Sequence, residues 1–180
     1  MYNIVVGKKT YKLGLLEENM IDNRKLKVYL DTSVISYLQQ EDAPEKTRIT
    51  LELWERFKSN IFDVCLSDLT LLEVGNCEEP KVSFMRNKLE EILYSRLSID
   101  NSVVKFANDI VKTGILTEKS IEDCQHIAVA LINNCDIILS WNFKHLVNVK
   151  TIDGVRALSM IKGYKNINIL NPMTLLEMEV

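Results

Sequence analysis

From Leu26 onward, short β-branched runs alternate with helical patterns, and this alternation limits the possible folds more than any other feature of the sequence. The apolar runs lie at 28–31, 62–67, 96–99, 136–140 and 167–170. Helical periodicity occupies the intervals near 47–58, 79–95, 102–113, 120–133 and 153–162. Strands separated by helices indicate parallel βα units, with helices covering both faces of one sheet. Ile137-Ile138-Leu139 reads as a central strand buried on both faces. No repeat or Pro/Gly-rich linker divides the chain, and 180 residues suit one ordinary domain. The expected layout is therefore an α/β domain over 27–180, preceded by an appendage over 1–26. Within the appendage, Ile4-Val5-Val6 and Thr10-Tyr11-Lys12-Leu13 flank Gly7 and read as a small hairpin.

Composition narrows the function classes. The apolar fraction is 47% and the charged fraction 26%, the balance of a globular protein rather than a disordered one. With 22 basic and 25 acidic residues the formal charge is −3, unlike proteins held to nucleic acid by bulk electrostatics. The charge is unevenly spread: residues 1–30 hold six basic and three acidic side chains, so the rest of the chain is net acidic. The longest uninterrupted apolar run, 127–132, is far short of the roughly 20 residues a bilayer span requires. Cys65, Cys77, Cys124 and Cys135 form no CxxC pair and have no zinc-like histidine spacing. With no signal-like start, the expectation is a reduced, cytoplasmic protein without a membrane partner.

In open parallel sheets, functional groups gather beyond the carboxyl ends of the strands. Asp31-Thr32-Ser33 follows the first strand of the α/β region, and Ser67-Asp68 follows the second. Asp31 is either a helix N-cap or a functional acid, and the neighbouring hydroxyls make an acid unnecessary as a cap. Glu73 interrupts the apolar helical stretch Leu69-Thr70-Leu71-Leu72-Glu73-Val74, as a solvated residue or as a site residue. Asp123 precedes Ile127, Ala130 and Leu131 by four, seven and eight positions, on or beside the stripe facing the sheet. A carboxylate there needs a partner, because burying an unpaired charge is costly.

Three acids gathered at one sheet edge would repel by about 4 kcal/mol per pair at about 4 Å and an effective dielectric near 20. Such a cluster makes sense with a hard divalent cation, Mg²⁺ or Mn²⁺, which retains open positions for phosphate oxygens. The corresponding chemistry is metal-assisted displacement at phosphorus.

Four segments in order resemble the motifs of PIN domains, most closely the bacterial VapC-like branch. They are Asp31-Thr32-Ser33-Val34, Leu72-Glu73-Val74, Asp123-Cys124-Gln125-His126-Ile127-Ala128-Val129-Ala130 and Ser140-Trp141-Asn142-Phe143-Lys144-His145-Leu146. The resemblance runs from about Leu26 to Asn171-Pro172. It implies a three-layer α/β/α sandwich with a central parallel sheet, and a Mg²⁺- or Mn²⁺-dependent endoribonuclease. By position, Asp31, Glu73 and Asp123 correspond to the acidic metal ligands. Asn142 stands where many members carry a further Asp, which removes one ligand charge. Ser33 and Ser140 match hydroxyls that orient carboxylates, or act as simple caps. His126 matches a residue that supports its helix, and His145, beside Lys144, is at most a phosphate contact. Trp141 and Phe143 read as packing residues, with base stacking by one of them left open. The resemblance further implies RNA as substrate, an antitoxin protein as partner and a homodimer. The alternative is a catalytically inactive PIN-like domain that binds RNA or protein, which Asn142 favours and the three acids oppose.

Other phosphate chemistries lack their signatures. The sequence holds neither a phosphate-binding P-loop nor a Gly-x-Gly-x-x-Gly fingerprint. Ser33 stands where an Asp-x-Asp phosphatase motif would carry its second acid, and no Gly-x-Ser-x-Gly elbow occurs.

Overall fold

The computed structural model describes residues 2–6, 9–13 and 24–178. In the N-terminal region, β1 (Tyr2–Val6) pairs antiparallel with β2 (Lys9–Leu13). The Gly7-centred turn read from the sequence lies outside the described residues.

The α/β region is built on five parallel strands: β3 (Lys27–Leu30), β4 (Asp63–Ser67), β5 (Ser95–Leu97), β6 (Ile137–Leu139) and β7 (Asn168–Leu170). Their order across the sheet is β5-β4-β3-β6-β7, every neighbouring pair parallel. The chain winds outward from β3 to β5, then crosses back to place β6 on the other side of β3. The order therefore reverses between β3 and β6. This switch point is where open parallel sheets form ligand crevices.

Alternation along the strands produces two cores. Val28, Leu30, Val64, Leu66, Ile137 and Leu139 face one side, while Tyr29, Cys65, Leu97, Ile138 and Ile169 face the other. The first side is covered by α1 (Thr32–Ser36), α2 (Pro44–Lys58), α3 (Asp68–Gly75), α4 (Lys81–Leu89) and α8 (Pro172–Glu177). The second is covered by α5 (Asn101–Lys112), α6 (Ile121–Ile132) and α7 (Val149–Lys162). The expected three-layer α/β/α sandwich is thus borne out.

Local signals account for the helices. On α5, Val103, Phe106, Ala107 and Ile110 form one buried stripe, and the Asp100 side chain caps the helix by accepting from the Ser102 and Val103 amides. On α6 the run from Ile127 to Leu131 is buried on all sides, and Ala128 and Ala130 bring the helix close to the sheet. Asn148 and Asn171 cap α7 and α8 in the same manner as Asp100. At its far end α7 closes on Gly163, whose φ of 73° favours glycine.

The N-terminal ends of β3 and β6 are tied by a buried carboxylate. Asp136 accepts two hydrogen bonds from Arg24, at 2.6 and 2.7 Å, and one from the Lys27 amide at 2.8 Å. Lys165, on the approach to β7, also donates to it. No helix among the described residues is long and apolar enough to cross a membrane, and the four cysteines are free.

Candidate active site

The opposite ends of β3 and β6 carry the acids. Asp31 follows β3 directly, and its amide donates to the Leu139 carbonyl at the end of β6. It holds the N-cap position of α1 without making a side-chain cap bond, so its carboxylate is free to serve something else. Ser33 and Ser140 both donate their hydroxyls to Asp31 Oδ2 at 2.6 Å. The two hydroxyls also set the adjoining loop: the Trp141 amide donates to Ser33 Oγ, and the Asn142 amide to Ser140 Oγ, each at 2.9 Å. Only 6% of Asp31 is exposed.

Glu73 reaches the same place from α3. Its Oε2 accepts from Thr32 Oγ1 on α1 and from His126 Nε2 on α6, the latter at 3.2 Å. His126 Nε2 also lies 3.7 Å from Asp31 Oδ1. One ligand atom from each of Asp31, Glu73 and His126 falls within 4.8 Å of the others. Among the described residues, the hydrogen bonds of the two acids all engage Oδ2 and Oε2, which leaves Asp31 Oδ1 and Glu73 Oε1 for an incoming ligand.

Behind the acids, the imidazole of His126 is held by a buried hydroxyl network. Its Nδ1 lies 2.5 Å from the Tyr29 hydroxyl, which in turn lies 2.7 Å from Ser67 Oγ and 3.1 Å from Thr70 Oγ1. Burial opposes charge on this imidazole, but Tyr29, the Glu73 hydrogen bond and Asp31 outweigh it and hold its pKa well above the ordinary value. A protonated ring donates at both nitrogens, to Tyr29 on one side and to Glu73 on the other. The Glu73 carboxyl is pushed up by burial, yet the hydrogen bonds from His126 and Thr32 and the His126 charge bring it below the ordinary range.

Asp123 comes from the first turn of α6 and lines the same pocket, outside the tight group of three. Burial raises its pKa, His145 opposes this, and the charge of Asp31 adds to it. Asn142 Nδ2 donates to Asp123 Oδ1 at 2.9 Å, and Asn142 Oδ1 accepts from the His145 amide at 3.0 Å. The carboxamide therefore ties the loop after β6 to α6. His145 is half-buried rather than exposed, with Nδ1 3.4 Å from Ser120 Oγ. Glu122 faces solvent, as its place on the helix suggests.

The pocket has a volume of about 360 Å³, and its walls include Asp31, Ser33, Glu73, Asp123, His126 and Asn142. A larger cavity, about 480 Å³, shares none of these residues and is walled largely by Leu71, Val74, Leu89 and Ile92. The structure thus places Asp31, Ser33, Glu73, Asp123 and Asn142 on the walls of one pocket, with Ser140 buried against Asp31 beside it. It adds His126 in contact with the acids, and Thr32 and Tyr29 as the groups that hold Glu73 and His126. The available signal for His126 was its spacing: it follows Asp123 by three positions, so the two share a helix face.

The chemistry of this donor set suits a hard divalent cation. Two acids on the pocket wall each keep, among the described residues, one oxygen without a hydrogen bond, and a third acid there is pushed toward protonation partly by its acidic neighbour.

Comparison with known proteins agrees with this fold. A chain of the VapBC2 complex from Rickettsia felis, solved bound to a DNA fragment from their promoter, superimposes with a TM-score of 0.51. The two share 15% sequence identity, and the match covers 81% of this chain and 98% of that one. No curated protein matches the sequence. The family model of the PIN domain matches residues 28–145, from the first strand of the sheet to the loop beyond Asn142. The chain belongs to the PIN domain family.

Proposed function

We propose that this protein is a divalent-metal-dependent endoribonuclease that hydrolyses RNA phosphodiester bonds. The observation that carries the proposal is the convergence of Asp31 and Glu73, with Asp123 beside them, on one open pocket at the switch point of the sheet. Membership of a family of nucleases supports it. In this reading Asp31, Glu73 and Asp123 hold Mg²⁺ or Mn²⁺. When bound, the ion lowers the pKa of water and stabilises charge on phosphoryl oxygens. Ser33 and Ser140 fix Asp31 by pinning one of its oxygens, and Thr32 and His126 do the same for Glu73. Asn142 positions Asp123.

The likeness to a chain of a VapBC complex further supports a toxin role with an antitoxin protein as partner, and a homodimer acting on RNA in the cytoplasm completes the reading. A short open reading frame immediately upstream is the expected genetic sign of that role.

The test compares RNA cleavage by the purified protein and Asp31→Asn, with Mg²⁺, Mn²⁺ or a chelator. Metal-dependent cleavage lost in the variant is the expected result. A folded wild type that cleaves no RNA with either metal sinks the proposal. That outcome would favour a PIN-like binding domain, a reading suggested by Asn142, whose amide serves as a loop tie.

A further inference from the structure

We infer that Tyr37, Trp141, Phe143 and Lys46 form a subsite in which a base of single-stranded RNA stacks beside the reacting phosphodiester. The inference rests on the endoribonuclease reading and extends it to substrate positioning. Tyr37, which closes α1, and Trp141, which follows Ser140, both line the acid pocket. Their rings lie 5.9 Å apart, and the Phe143 ring lies 6.1 Å from that of Trp141. The three rings thus make a continuous aromatic wall that begins at the pocket and runs outward. Trp141 is its fixed part: it is buried, and its indole N–H donates to Thr50 Oγ1 at 2.9 Å. Phe143 is its free edge, 46% exposed.

Lys46, in the first turn of α2, lies over this wall. Its Nζ is 4.6 Å from the Tyr37 ring centroid, 5.3 Å from that of Trp141 and 5.5 Å from that of Phe143. It also donates to the Tyr37 hydroxyl at 3.3 Å. Among the described residues no carboxylate lies within ion-pair range of Lys46.

Charge and shape together select the occupant. Asp31, Glu73, Glu122 and Asp123 outnumber the one lysine on the pocket walls, Lys119, so a polyanion entering it gains from a further cation at the rim, and Lys46 is placed to meet a neighbouring phosphate. An exposed phenyl edge beside that cation offers a face to any base, since base–aromatic stacking tolerates all four bases. A duplex would keep its bases stacked internally, so the subsite suits a single strand whose bases can be splayed out.

The experiment has two arms. In the first, steady-state cleavage of a short single-stranded RNA is measured for wild type, Phe143→Ala, Phe143→Leu and Phe143→Trp. Loss of one stacking contact is expected to raise KM by about tenfold in the Ala and Leu variants with little change in kcat, and Trp is expected to restore it. In the second, fluorescence anisotropy follows a labelled oligoribonucleotide binding to Asp31→Asn, alone and combined with Phe143→Ala or Lys46→Gln. Phe143→Ala is expected to weaken binding about tenfold. Lys46→Gln is expected to lower the slope of log affinity against log salt by about 0.7, the value for one phosphate contact on a single strand. Rescue by Leu as complete as that by Trp would show generic packing and overturn the subsite. So would equal affinities of parent and Phe143→Ala, absence of binding included. If wild type cleaves nothing, the nuclease reading falls by itself, and the anisotropy arm still decides the subsite.

Discussion

Replacing Asp136 with asparagine removes one negative charge from the base of the sheet and leaves the shape nearly unchanged. The carboxylate is 8% exposed and accepts from Arg24 twice, from the Lys27 amide and from Lys165. A hydrogen bond to a charged group contributes about 1.5–3 kcal/mol in mutational series. Arg24 and Lys165 are 45% and 41% exposed, so both are resolvated when the charge is lost, and each pair is discounted to about 1 kcal/mol or less. Asparagine retains an oxygen for the Lys27 amide but turns an N–H₂ toward the cations. The expected loss is about 2 kcal/mol, equivalent to a Tm lower by about 4–8 °C for a domain of this size.

The pH dependence gives this prediction its sign. The hydrogen bonds from Arg24, then those from Lys165 and the Lys27 amide, hold the Asp136 carboxyl well below the ordinary carboxylate range, against the push of burial. A folded-state pKa below the unfolded value of about 3.9 means that the stabilisation is complete above that value. It is lost as pH falls through the folded pKa. Urea unfolding of wild type and Asp136→Asn at pH 7, pH 5 and pH 3 measures the difference directly. The deficit should be full at the two higher values and should shrink at the lowest. A deficit under about 0.5 kcal/mol at pH 7, or one that does not change down to pH 3, would refute the reasoning.

Four further outcomes follow from the same geometry. Ser140→Ala removes one of the two hydroxyls pinning Asp31 Oδ2 and is expected to lower kcat by about tenfold in the RNA cleavage assay, the equivalent of one charged hydrogen bond. Tyr29→Phe deletes the hydroxyl shared by His126, Ser67 and Thr70 and should cost about 1–3 kcal/mol in urea unfolding. Gly154→Ala should fail to deliver the gain of about 1 kcal/mol that alanine brings to a helix interior, because its Cβ would lie 2.7 Å from Ile115 Cγ1; differential scanning calorimetry reads the sign. Mn²⁺ at about 100 times its Kd should stabilise wild type by about 2.7 kcal/mol in thermal unfolding, and Asp31→Asn should lose most of that increment.

Four strands of the sheet are legible in the sequence because each is a short apolar run with a β-branched residue near helices long enough to show their period, whereas β5, Ser95-Arg96-Leu97, has none of its own and is marked only by Ile99 beyond it. The sequence pattern puts no boundaries on α1, α3 and α8, whose five to eight residues complete at most about two turns. Asp31 and Ser140 are legible for a different reason: each directly follows an apolar strand, and parallel strands present their last residues at one edge. His126 reads from the sequence as a helix support, through its likeness to a residue of the PIN motif that opens with Asp123. What makes it more than that arrives from 97 residues away, through Tyr29, and from 53 residues away, through Glu73. Neither partner shares a local pattern with it, so only the fold brings them together.

That histidine also changes the meaning of the chain's acidic excess. Asp31 and Glu73 end within a few ångströms of each other, and the cost of their repulsion at close range is several kcal/mol in a partly buried site. The His126 imidazole lies 3.2 Å from one acid and 3.7 Å from the other, with its far side anchored to Tyr29. Protonated, it offsets part of the acidic charge from its place in the pocket wall. Among the described residues Asp31 Oδ1 and Glu73 Oε1 accept no hydrogen bond, as a site that exchanges metal and substrate requires. Net charge described none of this. The two acids and the His126 imidazole hold one another in place, with the pKa of that imidazole held above its ordinary value, and in the proposed subsite Lys46 on the aromatic wall meets the incoming polyanion.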